Sequence, residues 1–265
     1  MSFTREAVAL SHVAEGPADA PVLVLAPSLG TTAEMWRAPG AALAARRRVI
    51  RIDQRGHGRS EVPRGPYTIA ALAGDVLALL DEAGVERCDF CGVSLGGMVG
   101  MWLAAHAPER IRALVVCASS PHMPPAEQWT ERARLVREAG STAPLAQPVV
   151  ERWLTGSYAS AHPGAREELE QMLLATPAEG YAGCCEAIGG MDLREDLALV
   201  QAPTLVLGGA QDPSTPPAAH AAAIAELIAG ARLEILDPAA HLLPVERAAD
   251  VARLVSEHLR KGVQR

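Results

Sequence analysis

A chain of 265 residues with 49% hydrophobic and 21% charged side chains can bury one substantial core and is too apolar to be disordered. Its 24 Lys and Arg stand against 31 Asp and Glu, and the net charge of −7 repels phosphate backbones and anionic membrane surfaces, so nucleic acid is excluded as an expected partner. With only four Trp, three Tyr and two Phe, the core has to be built from Ala, Val, Leu and Ile, which suits close packing of helices on a sheet.

No apolar run reaches membrane-spanning length, and the opening MSFTREAVALSHVAEG is too polar for a secretory leader, so the chain reads as cytosolic. The cysteines agree. Cys88, Cys91, Cys117, Cys184 and Cys185 are odd in number and include an adjacent pair, which does not suit a disulfide framework. Cys88 and Cys91 make a C-x-x-C, but they lie in an apolar run with no second Cys or His pair at zinc-site spacing, and they read as buried thiols on a strand.

In chain order, PVLVLA (21–26) is a short β-branched run bounded by Pro27 and Gly30, the signature of a buried parallel strand. RVIRID (48–53) is a second strand and runs into the turn-rich QRGHGRS. Over 68–83 the apolar positions Ile69, Leu72, Val76, Leu79 and Leu80 recur at helical spacing, with Thr68 as N-cap and Gly84 past the end. A strand over 88–93, a helix over about 98–107 stopped by Pro108, and a strand ALVVCA (113–118) follow. Such alternation predicts a mostly parallel sheet with right-handed crossovers, flanked by helices.

The alternation then stops. Residues 119–199 hold no strand-like run, only helical stretches near 128–139, 145–154 and 167–175. It resumes with TLVLGG (204–209), a helix to residue 228, the strand RLEIL (232–236) and a closing helix over about 245–259. The expected organisation is therefore an α/β core domain of residues 1–118 and 200–265, interrupted by a helical cap of residues 119–199.

Gly92-Val93-Ser94-Leu95-Gly96 fits G-x-S-x-G with a strand before it and a helix after it, the setting of a nucleophile elbow. A serine hydroxyl attacks at neutral pH only if a base takes its proton and a carboxylate fixes that base. His241, in the loop DPAAHLLPVE after the last strand, is the best-placed base. His12, His106, His162, His220 and His258 fall on predicted helices, the insert or surface turns, and His57 reads as a turn-stabilising residue. Asp212 follows TLVLGG at the same sheet edge and is preferred as the acid over Asp237, which shares the loop of His241. An oxyanion needs two backbone N–H donors, for which Leu95 and Leu29 are the candidates; Pro27 has none.

Taken together, Ser94, Asp212, His241, RGHGRS and the inserted helices resemble an α/β-hydrolase fold with a cap. Closer detail in SLGTTAEMW, GPYTIAALAGDVLALLDEAG, FCGVSLGGMVGMWLAAHAPERI, ERWLTG and LLATPAEGYAGCCEAIGGMDLRE resembles the 3-oxoadipate enol-lactonases of the β-ketoadipate pathway. This resemblance implies serine-dependent opening of a small lactone through an acyl-enzyme on Ser94, with no metal and no cofactor. The chain departs from the family pattern at Pro27, at Ala-Ser-Ser-Pro-His (118–122) and at Leu242, Leu243 and Pro244, all expected near the pocket. A relative recruited to another ester or lactone, or to a non-hydrolytic step, is the alternative, and a non-catalytic binding protein is the third reading.

The implied substrate carries a carboxylate, which this acidic chain must attract locally with an arginine. Arg132, Arg134, Arg137 and Arg152 lie in the insert. Arg132 and Arg152 come first, being near Trp129 and Trp153, and His122 is a further pocket candidate. Trp129, Trp153, Tyr158 and Tyr181 all fall in the insert, which places part of the small aromatic stock around the substrate.

Overall fold

The computed structural model describes residues 7–262, so the start of the expected leader-free N-terminus and the last three residues of the expected core domain lie outside the described residues. Seven strands form one sheet: β1 (His12–Glu15), β2 (Val22–Ala26), β3 (Arg48–Ile52), β4 (Cys88–Val93), β5 (Ile111–Cys117), β6 (Thr204–Gly209) and β7 (Arg232–Leu236). Their order is β1-β3-β2-β4-β5-β6-β7, and every pairing is parallel except β1 with β3. β2, β4 and β6 are buried along their whole length, which is why they read as unbroken apolar runs. β1 escapes sequence reading because an edge strand of four exposed or half-exposed residues, HVAE, carries no apolar period.

The helices are α1 (Arg37–Leu43), α2 (Ile69–Glu82), α3 (Leu95–His106), α4 (Ala126–Ala139), α5 (Ala146–Val150), α6 (Gly156–Ala161), α7 (Pro163–Ala175), α8 (Ala178–Gly189), α9 (Ala221–Leu227), α10 (Leu243–Glu246) and α11 (Ala248–Gly262). Against the sheet, α1 packs on α11 and α2 on α3. The predicted boundaries of α2 hold to the residue or nearly so, because Thr68 Oγ1 accepts the Ala71 N–H at 3.1 Å and Gly84 follows at φ 66°. α3 starts three residues earlier than its periodicity indicates, directly after Ser94. The closing helix is in fact two, α10 and α11, broken at Arg247.

Helices α4 to α8 all lie between β5 and β6 in the chain. The two ends of this segment meet, since Leu193 N–H donates to Pro121 O at 2.8 Å and His122 bridges to Asp192. The sequence conceals α1, α6 and α8, of which α8 is the longest. Glycines disfavour a helix, and residues 180–185 are all buried, so no amphipathic stripe marks it. Those glycines are there for space: a Cβ on Gly180 would stand 2.0 Å from the Gly56 carbonyl oxygen. Gly56, at φ 78°, belongs to the RGHGRS turn, so the inserted segment is docked backbone to backbone on the core. The same turn is tied to α2 by the buried pair Arg55–Asp75, with Arg55 Nε 2.6 Å from Asp75 Oδ2.

All five cysteines are free and buried, as expected of reduced thiols. No described helix is long and apolar enough to cross a membrane.

Candidate active site

Because β2, β4, β5, β6 and β7 run parallel, the loops that leave their C-terminal ends gather at one edge of the sheet. Leu29, Ser94, Asp212 and His241 all stand on such loops. Ser94 has φ 54° and ψ −114°, the strained turn that G-x-S-x-G requires. A Cβ on Gly92 would come within 2.2 Å of the Gly96 backbone, and one on Gly96 within 2.5 Å of the Ala26 carbonyl oxygen. Strand and helix can therefore pass this closely only with glycine at both positions. The backbone of Ser94 is held by its N–H donating to Cys117 O at 2.9 Å and its carbonyl accepting from Ser119 Oγ at 2.8 Å.

His241 Nδ1 donates to Asp212 Oδ2 at 2.9 Å, and both residues are buried. The other acceptor positions of Asp212 are filled by Ser214 N–H, Thr215 N–H and Thr215 Oγ1, at 2.7, 3.1 and 2.6 Å. Burial raises its pKa, but the His241 charge and these hydrogen bonds outweigh it and hold the carboxyl at about 2. The fixed Nδ1–H leaves His241 Nε2 as the acceptor. Asp237 does not contact His241; it is exposed, with a long 3.4 Å contact to Gln211. Among the described residues Ser94 Oγ has no hydrogen-bond partner, and Ser94 and His241 line the same cavity. A hydrogen bond between nucleophile and base commonly tightens only when substrate is bound.

The N–H groups of Leu29 and Leu95 have no partner among the described residues, whereas their neighbours are engaged. Ser28 N–H is 3.4 Å from Met35 Sδ, Gly30 N–H donates to His57 Nε2 at 2.9 Å, and Gly96 N–H donates to Pro27 O at 3.1 Å. His57 is thus more specific than a turn stabiliser. It is fully buried, its Nδ1 donates to Arg55 O at 3.1 Å, and its free nitrogen anchors the loop that carries Leu29. Burial lowers its pKa to about 4, so the ring stays neutral and can accept.

The cavity has a volume of about 550 Å³ and is lined on the sheet side by Ser28, Leu29, Ser94 and His241. From the inserted segment it receives Trp129, Arg132, Arg152, Trp153 and Tyr181. Tyr158 is elsewhere, its hydroxyl donating to Val245 O at 3.0 Å and its ring stacked on His162. His122 is not among the lining residues; its ring lies 3.3 Å from Asp192 and closes the base of the insert. The family departures at Pro27, 119–121, Leu242, Leu243 and Pro244 do not line the cavity either. Leu242 acts behind it, donating its N–H to Trp153 O at 2.9 Å.

The four arginines of interest divide by partner. Arg134 is exposed and paired with Glu131 and Glu138, and Arg137 is clamped between Glu179 and Glu186. Arg132 has no acidic partner among the described residues. Its guanidinium sits 5.5 Å from the Trp129 ring centre and 5.3 Å from that of Tyr181, with Nε buried and unbonded. The Tyr181 hydroxyl is also buried without a partner, and burial pushes its pKa up against the pull of the Arg132 charge. Arg152 lines the cavity but is exposed.

Two residues of this region carry no motif and are not found by sequence reading. Glu246 accepts from Thr155 N–H and Ala240 N–H, each at 2.5 Å, and so fixes the loop of His241 to the insert. His220 lines the cavity. Among the described residues no group of three His, Cys, Asp or Glu side chains is placed to hold a metal ion.

Residues 21–248 match the family model for the alpha/beta hydrolase fold. The 3-oxoadipate enol-lactonase 2 of Acinetobacter baylyi is 42% identical over 246 residues, covering 93% of this chain and 91% of that protein. Among solved structures, the enol-lactonase from Burkholderia xenovorans aligns at a TM-score of 0.91 and 40% identity, over 95% of this chain and 96% of that one. A hydrolase from Pseudomonas aeruginosa aligns at 0.92 and 42%, over 97% of each chain. On this match and on its fold, the chain belongs to the α/β-hydrolase family.

Proposed function

We propose that the protein is a serine hydrolase that opens 3-oxoadipate enol-lactone to 3-oxoadipate, working in the cytoplasm in the β-ketoadipate route of aromatic catabolism. Its relatives named enol-lactonase support the substrate class, and the five free thiols fit a reducing compartment. In this reading residues 1–118 and 200–265 form the catalytic core and residues 119–199 the cap. The observation that carries the substrate assignment is Arg132: an unpaired guanidinium in a cavity shared with Ser94, beside the unbonded Tyr181 hydroxyl. A ligand carboxylate satisfies both groups at once.

The mechanism follows from the geometry. His241 Nε2 takes the Ser94 proton as Oγ attacks the lactone carbonyl, and Asp212 stabilises the imidazolium. The N–H groups of Leu95 and Leu29 receive the oxyanion, the latter on the loop that His57 holds. Collapse breaks the ring C–O bond, and His241 returns the proton to the departing enol oxygen. Water activated by His241 then cleaves the acyl-enzyme, and the enol ketonises to 3-oxoadipate, losing its O–H proton as carbon gains one. Ultraviolet monitoring of the enol-lactone in the presence of wild type and Ser94→Ala tests this directly. The wild type opens the ring and the variant does not; equal rates would remove serine catalysis.

A further inference from the structure

His220 sits just before α9, half-buried, and lines the cavity that holds Ser94 and His241. Its Nδ1 lies 2.8 Å from Ser120 Oγ. Ser120 Oγ is in turn 2.6 Å from the His122 carbonyl oxygen and 3.2 Å from the His122 nitrogen. Two oxygens 2.6 Å apart need a proton between them, so the hydroxyl proton of Ser120 is committed to the His122 carbonyl. Ser120 can only accept from His220, which fixes the ring with its proton on Nδ1 and its lone pair on Nε2. Burial lowers the His220 pKa, with Asp212 acting against it, so the ring is neutral near pH 7. The site therefore contains two imidazoles with their Nδ1 protons fixed by hydrogen-bond partners, only one of which the acyl-transfer steps use.

Opening a lactone leaves the departing oxygen tethered to the acyl chain, where it can attack the acyl-enzyme and close the ring again. We propose that His220 Nε2 accepts a hydrogen bond from the enol hydroxyl released in this step and holds it away from the Ser94 acyl carbonyl until water arrives. No proton is transferred to His220: the enol O–H proton is the one returned by His241, and it is shared with Nε2 as a hydrogen bond. This role rests on the enol-lactonase reading above.

The test compares 3-oxoadipate enol-lactone with p-nitrophenyl acetate, whose leaving group departs and cannot recyclise. For His220→Ala, kcat on the enol-lactone falls about tenfold to hundredfold more than kcat on the phenyl ester, the cost of a lost hydrogen bond in a buried site. His220→Gln, which keeps an acceptor near the Nε2 position, recovers part of the difference. Ser120→Ala, which keeps the ring but removes the hydroxyl that orients it and that also bonds the His122 backbone, lowers the same ratio by a smaller factor. Equal losses on both substrates, or no loss on the lactone, overturn the role while leaving the function intact. A wild-type protein that hydrolyses the phenyl ester but not the enol-lactone overturns both.

Discussion

The sheet edge and the inserted helices both line the cavity, but they are held in different ways. At the sheet edge every reacting group is set by backbone geometry and short buried hydrogen bonds: Ser94 by a strained turn, His241 by Asp212, and the Leu29 loop by His57. On the inserted side Arg132 Nε and the Tyr181 hydroxyl are buried without a hydrogen-bond partner, while Arg134 and Arg137 are tied into ion pairs. Partnered groups such as Asp212 and His57 fix the geometry, and partnerless ones, the Ser94 hydroxyl and the Leu29 and Leu95 N–H groups at the sheet edge and the Arg132 guanidinium in the insert, mark where a ligand completes the structure. In the proposed reading this separates a reaction site at the sheet edge from a recognition site in the insert, within one cavity.

Perturbing the sheet edge has the largest expected effect. Ser94→Ala lowers kcat by at least about 10⁴-fold and Asp212→Asn by about 10³- to 10⁴-fold, both with little change in KM. Steady-state kinetics that show a KM effect alone would break the division. The junction between the two regions comes next. Gly180→Ala forces a methyl group against Gly56 and costs about 3 kcal/mol in urea unfolding. Gly164→Ala, with no heavy atom within 4 Å of its new Cβ, is neutral or stabilises by up to about 1 kcal/mol.

A pH effect sharpens the same picture. The His57 ring takes its proton near pH 6.5 in the unfolded chain and at about 4 when folded. Between these values the unfolded state binds more protons, so its contribution to stability is full above pH 6.5 and declines as pH falls to about 4, by about 3 kcal/mol. Asp212 acts in a lower window: its depressed carboxyl stabilises the fold above its unfolded value of 3.8, and that contribution is lost as pH falls to about 2. Urea titrations at pH 7 and 4.5 measure the first window, and His57→Gln flattens the slope there. An unchanged slope in the variant would deny that a buried neutral imidazole anchors the Leu29 loop.

Much of the sheet edge is legible in sequence because its signals are local. An apolar run followed by G-x-S-x-G, and a strand followed at once by an aspartate, place Ser94 and Asp212 without knowledge of tertiary contacts. α8 is not legible, since Gly180 and Gly183 answer to Gly56 and Tyr67, which lie more than a hundred residues earlier. The choice among four arginines is hidden for the same reason: Arg137 is taken by Glu179 and Glu186, partners 42 and 49 residues away. The four aromatics of the insert look alike in sequence but divide in the structure: Trp129, Trp153 and Tyr181 line the cavity, whereas the Tyr158 hydroxyl holds α6 to Val245. His220 and Glu246 show no pattern at all, because their roles depend on loops brought together only by the sheet.

The most direct test of the separation between reaction and recognition is a charge comparison. It sets kcat/KM for 3-oxoadipate enol-lactone against that for its methyl ester, in wild type, Arg132→Gln and Arg134→Gln. A charge-assisted contact to Arg132 predicts a wild-type preference for the free acid of about tenfold to hundredfold, retained in Arg134→Gln and reduced to near one in Arg132→Gln. A preference that survives in Arg132→Gln would contradict the account.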